Sequence, residues 1–201
     1  MSSTFSFGTK NGKMITKAVS TGSSSLPPYY VTPLSSSFTS SKTITVSGQP
    51  FGNGVYTLTT SGNYDGTDKY AAFNVFNGNS SGGSAWVAGG TFSDGSRTTN
   101  VSGNNITGDW IQLKLPYSLI LGRYSLLPWN ASGSATQWYI VGSNDGSTWN
   151  QLDYRNSIVL NSSSLNYYTV TNSVSYSYFR IIVTSYTGYT YCALSQFNIG
   201  N

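Results

Sequence analysis

The sequence predicts an all-β protein, a β-sandwich or jelly roll. Three observations carry that expectation. From residue 42 onward, about ten short runs rich in β-branched and aromatic residues follow one another. Clusters of Gly, Asn, Asp and Ser separate them, which is the chemistry of turns. No amphipathic helix of useful length interrupts the series. A chain of 201 residues is long enough to bury one sizeable core.

In chain order the expected strands are "KTITVS" (42–47), "GVYTLTTS" (54–61), "YAAFNVF" (70–76), "DWIQLKLP" (109–116) and "RYSLLPW" (123–129). "WYIVGS" (138–143), "TWNQLDY" (148–154), "YYTVTN" (167–172), "YFRIIVTS" (178–185) and "YCALSQFNI" (191–199) complete the set. Period-2 alternation is plain in two of them. Ile111, Leu113 and Leu115 share a face opposite Gln112 and Lys114. Phe179, Ile181 and Val183 point one way and Arg180 the other. Between Trp138 and Trp149 lies the polar tip Ser143-Asn144-Asp145-Gly146-Ser147. Asn and Asp tolerate turn conformations and Gly146 can take positive φ, so the tip reads as a tight corner. Asp145 is then a turn former, not a catalytic carboxylate. Trp138 and Trp149 fall on neighbouring strands.

Residues 1–41 read differently, as a Ser/Pro-rich basic arm before a domain at 42–201. Lys10, Lys13, Lys17 and Lys42 occur with no acid among residues 1–42, and the rest of the chain is neutral. The whole net charge of +4 therefore sits at this end. Pro27, Pro28 and Pro33 favour extended backbone. Lys10, Lys13, Lys17, Tyr29 and Tyr30 are candidates for anchoring the arm to a partner; a solvated tail is the alternative.

Composition narrows the chemistry. Only 8% of residues are charged, there is no His, and all six acids are Asp (65, 68, 94, 109, 145 and 153). No imidazole base, Ser-His-Asp triad or His-bound zinc can be built. A paired-carboxylate hydrolase would start from a poor inventory. Cys192 is alone, so no internal disulfide forms. No run approaches membrane-spanning length, and no apolar leader of the secretory type is found near the start. A neutral domain with a modest basic arm gives no expectation of nucleic-acid binding.

"WYIVGSNDGSTWNQL" resembles the central signature of the discoidin, or coagulation factor 5/8 type C, family. "YAAFNVFNGNSSGGSAW" (70–86), "GDWIQLKLP" (108–116), "YFRIIV" (178–183) and "ALSQFNI" (193–199) resemble further segments of that family, in its order. The resemblance covers about residues 43–200. It implies a galactose-binding-like jelly-roll sandwich with an extended N-terminal arm left outside. It also implies a non-catalytic module that binds glycans, lipid head groups or proteins through loops at one end. Trp86, Trp110, Trp138 and Trp149 fall at its core positions. Many relatives hold a structural calcium with an Asp in the second segment and a Glu in the last strand. Here those positions read Asn74 or Asn77 and Gln196. Losing both carboxylates disfavours calcium, so no cofactor or metal is expected; a site made of backbone carbonyls is the alternative.

Sugars are gripped by aromatic faces with a few aimed polar groups. Trp129 in a polar loop, Arg97 in "FSDGSRTTN", Asn77 and Asn79 in "FNGN", and Tyr186, Tyr189 and Tyr191 in "SYTGYTY" are the candidate ligand residues. Turn formation explains Asn77 and Asn79 equally well, and Arg97 also reads as a solvated loop charge. The resulting expectation is a non-catalytic attachment or structural module, virion-associated as a minor capsid or fibre protein. It would be anchored by its arm to protein subunits of a larger assembly and put together in the cytoplasm without a signal peptide. The alternative is a glycan-binding adhesion module that uses the loops at one end of the sandwich, with cell-surface glycan as partner.

Overall fold

The computed structural model describes residues 42–47, 53–77, 85–89 and 96–201, together with the backbone of 8–10 and 13–15. Its strands are β1 (Gly8–Lys10), β2 (Lys13–Ile15), β3 (Thr43–Val46), β4 (Gly54–Thr60), β5 (Trp86–Val87), β6 (Thr98–Val101) and β7 (Asn104–Thr107). They continue with β8 (Asp109–Ile120), β9 (Arg123–Pro128), β10 (Ala135–Ser143), β11 (Asn150–Arg155), β12 (Asn166–Thr169), β13 (Ser175–Tyr186) and β14 (Ala193–Gly200). Two sheets face each other. One has the order β11-β10-β13-β8-β4-β3, the other β12-β9-β14-β5, and every pairing in both is antiparallel. Within the expected arm, β1 and β2 pair with each other, Lys10 opposite Lys13. Lys17, Tyr29 and Tyr30 lie outside the described residues, as does Asn79.

The alternation read from the sequence builds the interior. Ile111, Leu113, Leu115, Phe179, Ile181 and Val183 are all buried between the sheets with Trp86, Trp138, Tyr124 and Phe197. Burying such side chains contributes about 1.5–3 kcal/mol each. A short polar chain runs through this core. Trp138 Nε1 donates to Tyr124 Oη at 2.9 Å, and that hydroxyl donates to Asp153 Oδ2 at 2.6 Å.

Two expectations need correction. Residues 70–76 do not form a strand. Asp68–Tyr70 and Ala72–Phe76 are short 3-10 turns, and every residue of the second is buried. An apolar run without alternation does not distinguish a buried strand from a buried turn. Here the Asn74 side chain decides by bonding to the local backbone carbonyls of Asp68 and Lys69. Arg180 does point away from Phe179 and Ile181, but not into water. The polar hairpin β6–β7, which the sequence did not announce, turns on Ser102 and Gly103 at positive φ and covers that outer face. Arg180 is buried, its guanidinium 3.8 Å from the Trp110 ring centre and 4.3 Å from that of Trp149. Its nitrogens donate to Thr99 Oγ1 and Gln112 Oε1, and burial pushes its pKa down to about 10. The charge is held by π faces and neutral oxygens.

The tip 143–147 is a corner. Asp145 Oδ1 accepts from the Ser147 and Thr148 amides, both at 2.7 Å, and from Ser143 Oγ at 3.0 Å. Those bonds hold its carboxyl well below the usual carboxylate range. Gly146 takes φ +75°, and Asn144 staples the turn to β13 through the Ser175 carbonyl and the Ser177 amide. Trp138 and Trp149 flank the turn as expected but serve different cores, one between the sheets and one under the hairpin.

Removing the buried cation tests this account of the outer layer. Arg180→Ala should lose about 2–4 kcal/mol, because a cavity opens between two indoles and their cation contact disappears. Urea unfolding measures the loss. An unchanged midpoint would mean that the guanidinium is dispensable there.

Candidate functional site

Strands β4, β5, β9 and β13 end, and β8, β10 and β14 begin, at one end of the sandwich; the tip 143–147 is at the other. The loops at the first end are stitched together through their backbones. Trp129 N donates to Ala193 O, Ala193 N to Gly133 O, and Thr187 N to Ser134 O. Tyr64 N donates to Val87 O, Ala85 N to Lys69 O, and Ala88 N to Cys192 O. Gly133, at φ +76°, is required by this stitching: a Cβ there would meet Tyr191 O at 3.0 Å and the Tyr189 ring at 3.3 Å.

The stitched loops gather aromatic rings. Tyr189 stacks on Tyr191 with centroids 4.9 Å apart, Tyr191 neighbours Tyr64 at 5.4 Å, and Tyr64 meets Tyr70 edge-on at 5.7 Å. Trp129 continues the chain 6.0 Å from Tyr70. Tyr64 and Tyr189 are the most open, 46% and 45% exposed, while Tyr70, Trp129 and Tyr191 are half-buried on Ala85, Val87 and Ala193. Beside Tyr191, across Gly89, lies the Arg97 guanidinium. Its Nε is 3.0 Å from Asp109 Oδ1, off the line of the N–H, with side chains 53% and 6% exposed respectively. Trp110 Nε1 donates to Ser96 O and Gly108 N to Arg97 O, so the arginine is fixed at its backbone as well as its head. Burial raises the Asp109 carboxyl, and the Arg97 charge opposes that shift. The result is an aimed planar donor next to a set of ring faces, an arrangement able to stack on C–H surfaces and donate to oxygens.

Trp129, Arg97, Tyr189 and Tyr191 are brought together at this end. Tyr186 sits behind them, its hydroxyl donating to Thr190 O, where burial and the Asp109 charge raise its pKa. Asn77 follows the 72–76 turn and donates to Asn74 Oδ1 at 3.3 Å, a structural role. Tyr64 and Tyr70 were missed; the available signal was an aromatic flanked by turn residues in "SGNYDG" directly after a strand. A separate cleft lined by Lys42, Thr59, Asn63, Asp68 and Phe73 contains none of the residues singled out.

The calcium implied by the resemblance meets a poor fit. Asn74 Nδ2 donates to the carbonyls of Asp68, Lys69 and Ala85 at 2.8, 2.9 and 3.3 Å. These carbonyls are satisfied by an amide rather than turned to a cation. Among the described residues no three His, Cys, Asp or Glu side chains group as metal ligands.

No protein-family model matches the sequence, and no curated sequence matches it. Solved structures do match. A family 89 glycoside hydrolase from Clostridium perfringens, in complex with GlcNAc-α-1,4-galactose, aligns at TM-score 0.54 and 21% identity over 73% of this chain. The aligned part is 14% of that enzyme's length. A family 32 carbohydrate-binding module from the same organism, in complex with GalNAc-β-1,3-galactose, aligns at TM-score 0.55 and 14% identity. That match covers 73% of this chain and 95% of the module. The chitosan-binding module 1 of a Paenibacillus chitosanase/glucanase aligns at 0.53 and 21% identity, covering 72% of this chain and 94% of the module. The fold is a galactose-binding-like jelly-roll β-sandwich.

The pairing of Arg97 with Asp109 has a pH signature. An ionised Asp109 is buried against the Arg97 charge, so Arg97→Gln should lower stability at pH values above the raised pKa of Asp109. The deficit should shrink as pH falls through the elevated native pKa, because a protonated Asp109 has no charge to offset. Thermal melts at neutral and acidic pH check the sign; a deficit independent of pH would show that the ion pair is not its source.

Proposed function

We propose that this chain is a non-catalytic carbohydrate-binding module whose ligand lies across Tyr64, Tyr189 and Tyr191 against the Arg97 fork. The observation that carries the reading is the aromatic chain Trp129–Tyr70–Tyr64–Tyr191–Tyr189 with an oriented guanidinium at its side, on the loop end of the sandwich. Exposed tyrosines offer ring area at low side-chain entropy, and sugars present C–H faces that such rings cover. The neighbouring modules crystallised with galactose-containing sugars and the chitosan-binding module support the same ligand class. We assign hexose- or hexosamine-containing glycans as the ligand.

The placement of the acids supports a binding role. Asp109 is buried behind Arg97, and Asp153 is engaged by Tyr124 and Arg155. Asp145 is consumed by the far turn, and Asp65 accepts from Thr67. Asp109, Asp153 and Asp145 are thus each engaged within the fold. The attachment role in a particle rests on residues 1–41. Of these only the two short strands β1 and β2 are described, and no observation favours that role over glycan binding.

A glycan array followed by titration of the retained sugars tests the proposal. Retention of galactose- or N-acetylhexosamine-containing glycans is expected. Tyr64→Ala and Tyr189→Ala, at exposed rings, should each weaken binding about tenfold, about 1.4 kcal/mol, without moving the melting temperature. An array with no retained glycan, or full affinity in the double variant, would overturn it.

A further inference from the structure

Two of the segments that frame the aromatic cluster converge on one atom. Asn74 Nδ2 is within hydrogen-bond reach of three main-chain carbonyls, those of Asp68, Lys69 and Ala85. The first two immediately precede Tyr70; the third precedes Trp86 and Val87, whose carbonyl receives the Tyr64 amide. Asn74 is buried, and its Oδ1 accepts from Asn77. Three carbonyl oxygens aimed at one point form an electron-rich cradle, normally the surroundings of a hard cation. Here the two amide hydrogens fill it, the longest contact being shared. An amide group carries partial positive charge on its hydrogens, so it satisfies the oxygens without importing a full charge that would need carboxylates. Gln196, at the position where the resemblance would put a glutamate, is likewise neutral and buried.

We propose that the Asn74 carboxamide does in this chain the work of a structural cation. It clamps the 61–71 loop to the 85–87 segment without a divalent ion, and the cradle is a latent cation site closed by a single nitrogen. Replacing that nitrogen by oxygen, as in Asn74→Asp, sets a carboxylate against three carbonyl oxygens. The repulsion opens the loops unless a cation enters, for which the carboxylate and the three carbonyls are ready oxygen ligands. Asn74→Ala removes the clamp and supplies no ligand.

The test is a set of melts of the full chain in chelator and in millimolar calcium chloride, with calorimetric titration of calcium alone. The wild-type melting temperature should be the same in both solutions and the titration silent. Asn74→Asp should melt lower in chelator and recover by roughly 5 °C or more in calcium, with saturable heat. Asn74→Ala should melt lower in both. A wild-type chain that loses stability in chelator and regains it with calcium would overturn the proposal, whatever the variants do. So would an Asn74→Asp chain that folds but responds to calcium no more than wild type. None of these readouts involves a sugar, so their failure and that of the glycan reading are distinct.

Discussion

Burial of β14 on all sides is the constraint on which the rest of the molecule depends. All eight of its residues are buried. One edge is taken by β9, the start of the other by β5, and the Ala72–Phe76 turn packs along it, with Phe76 against Phe197. The loops of the candidate site hang from the beginning of this strand. Trp129 and Gly133 bond to Ala193, Ala88 bonds to Cys192, and Tyr189 and Tyr191 immediately precede it. The Cys192 thiol, wholly buried and pushed well up by that burial, acts as packing rather than chemistry. A surface of tyrosines could not keep its geometry on loops alone. Backbone bonds tie the neighbouring loops to the start of a strand that is buried along its whole length.

With so few charges, each one that enters the interior has a specific arrangement. Arg180 lies between two indoles, Asp153 collects a phenol and a guanidinium, and Asp109 holds the one arginine at the aromatic end. Isolated charges in such places would be costly. The first two arrangements face inward and stabilise. The third leaves half of its arginine in solvent, so the guanidinium that faces Asp109 is also accessible from outside.

Much of this was legible in the residues. Alternation along 109–116 and 178–184 gave the inner face, the Asn-Asp-Gly tip gave its turn, and the motif resemblance placed four tryptophans in interiors. Legibility failed where long-range contacts override local pattern. "YAAFNVF" has the composition of a buried strand, and the bonds from Asn74 back to the carbonyls of Asp68 and Lys69 and on to Ala85 hold it as a turn. The 98–107 hairpin is polar in sequence because its apolar share is just Val101 and Ile106, enough to roof Trp110 and Trp149. Tyr64 and Tyr70 join Tyr191 and Trp129 only after the sheets close, so no window of sequence contains the cluster.

The turn at 72–76 has one more effect. A β-sheet ends in a row of open amides and carbonyls that invites a foreign strand. Beyond the two residues of β5, the rim of β14 meets instead a knot of Phe73, Val75 and Phe76, which offers a newcomer no ladder to extend. A chain so rich in hydroxyls and so poor in charge has little electrostatic repulsion to keep its copies apart. On this flank, shape rather than charge guards it against fibrous self-association.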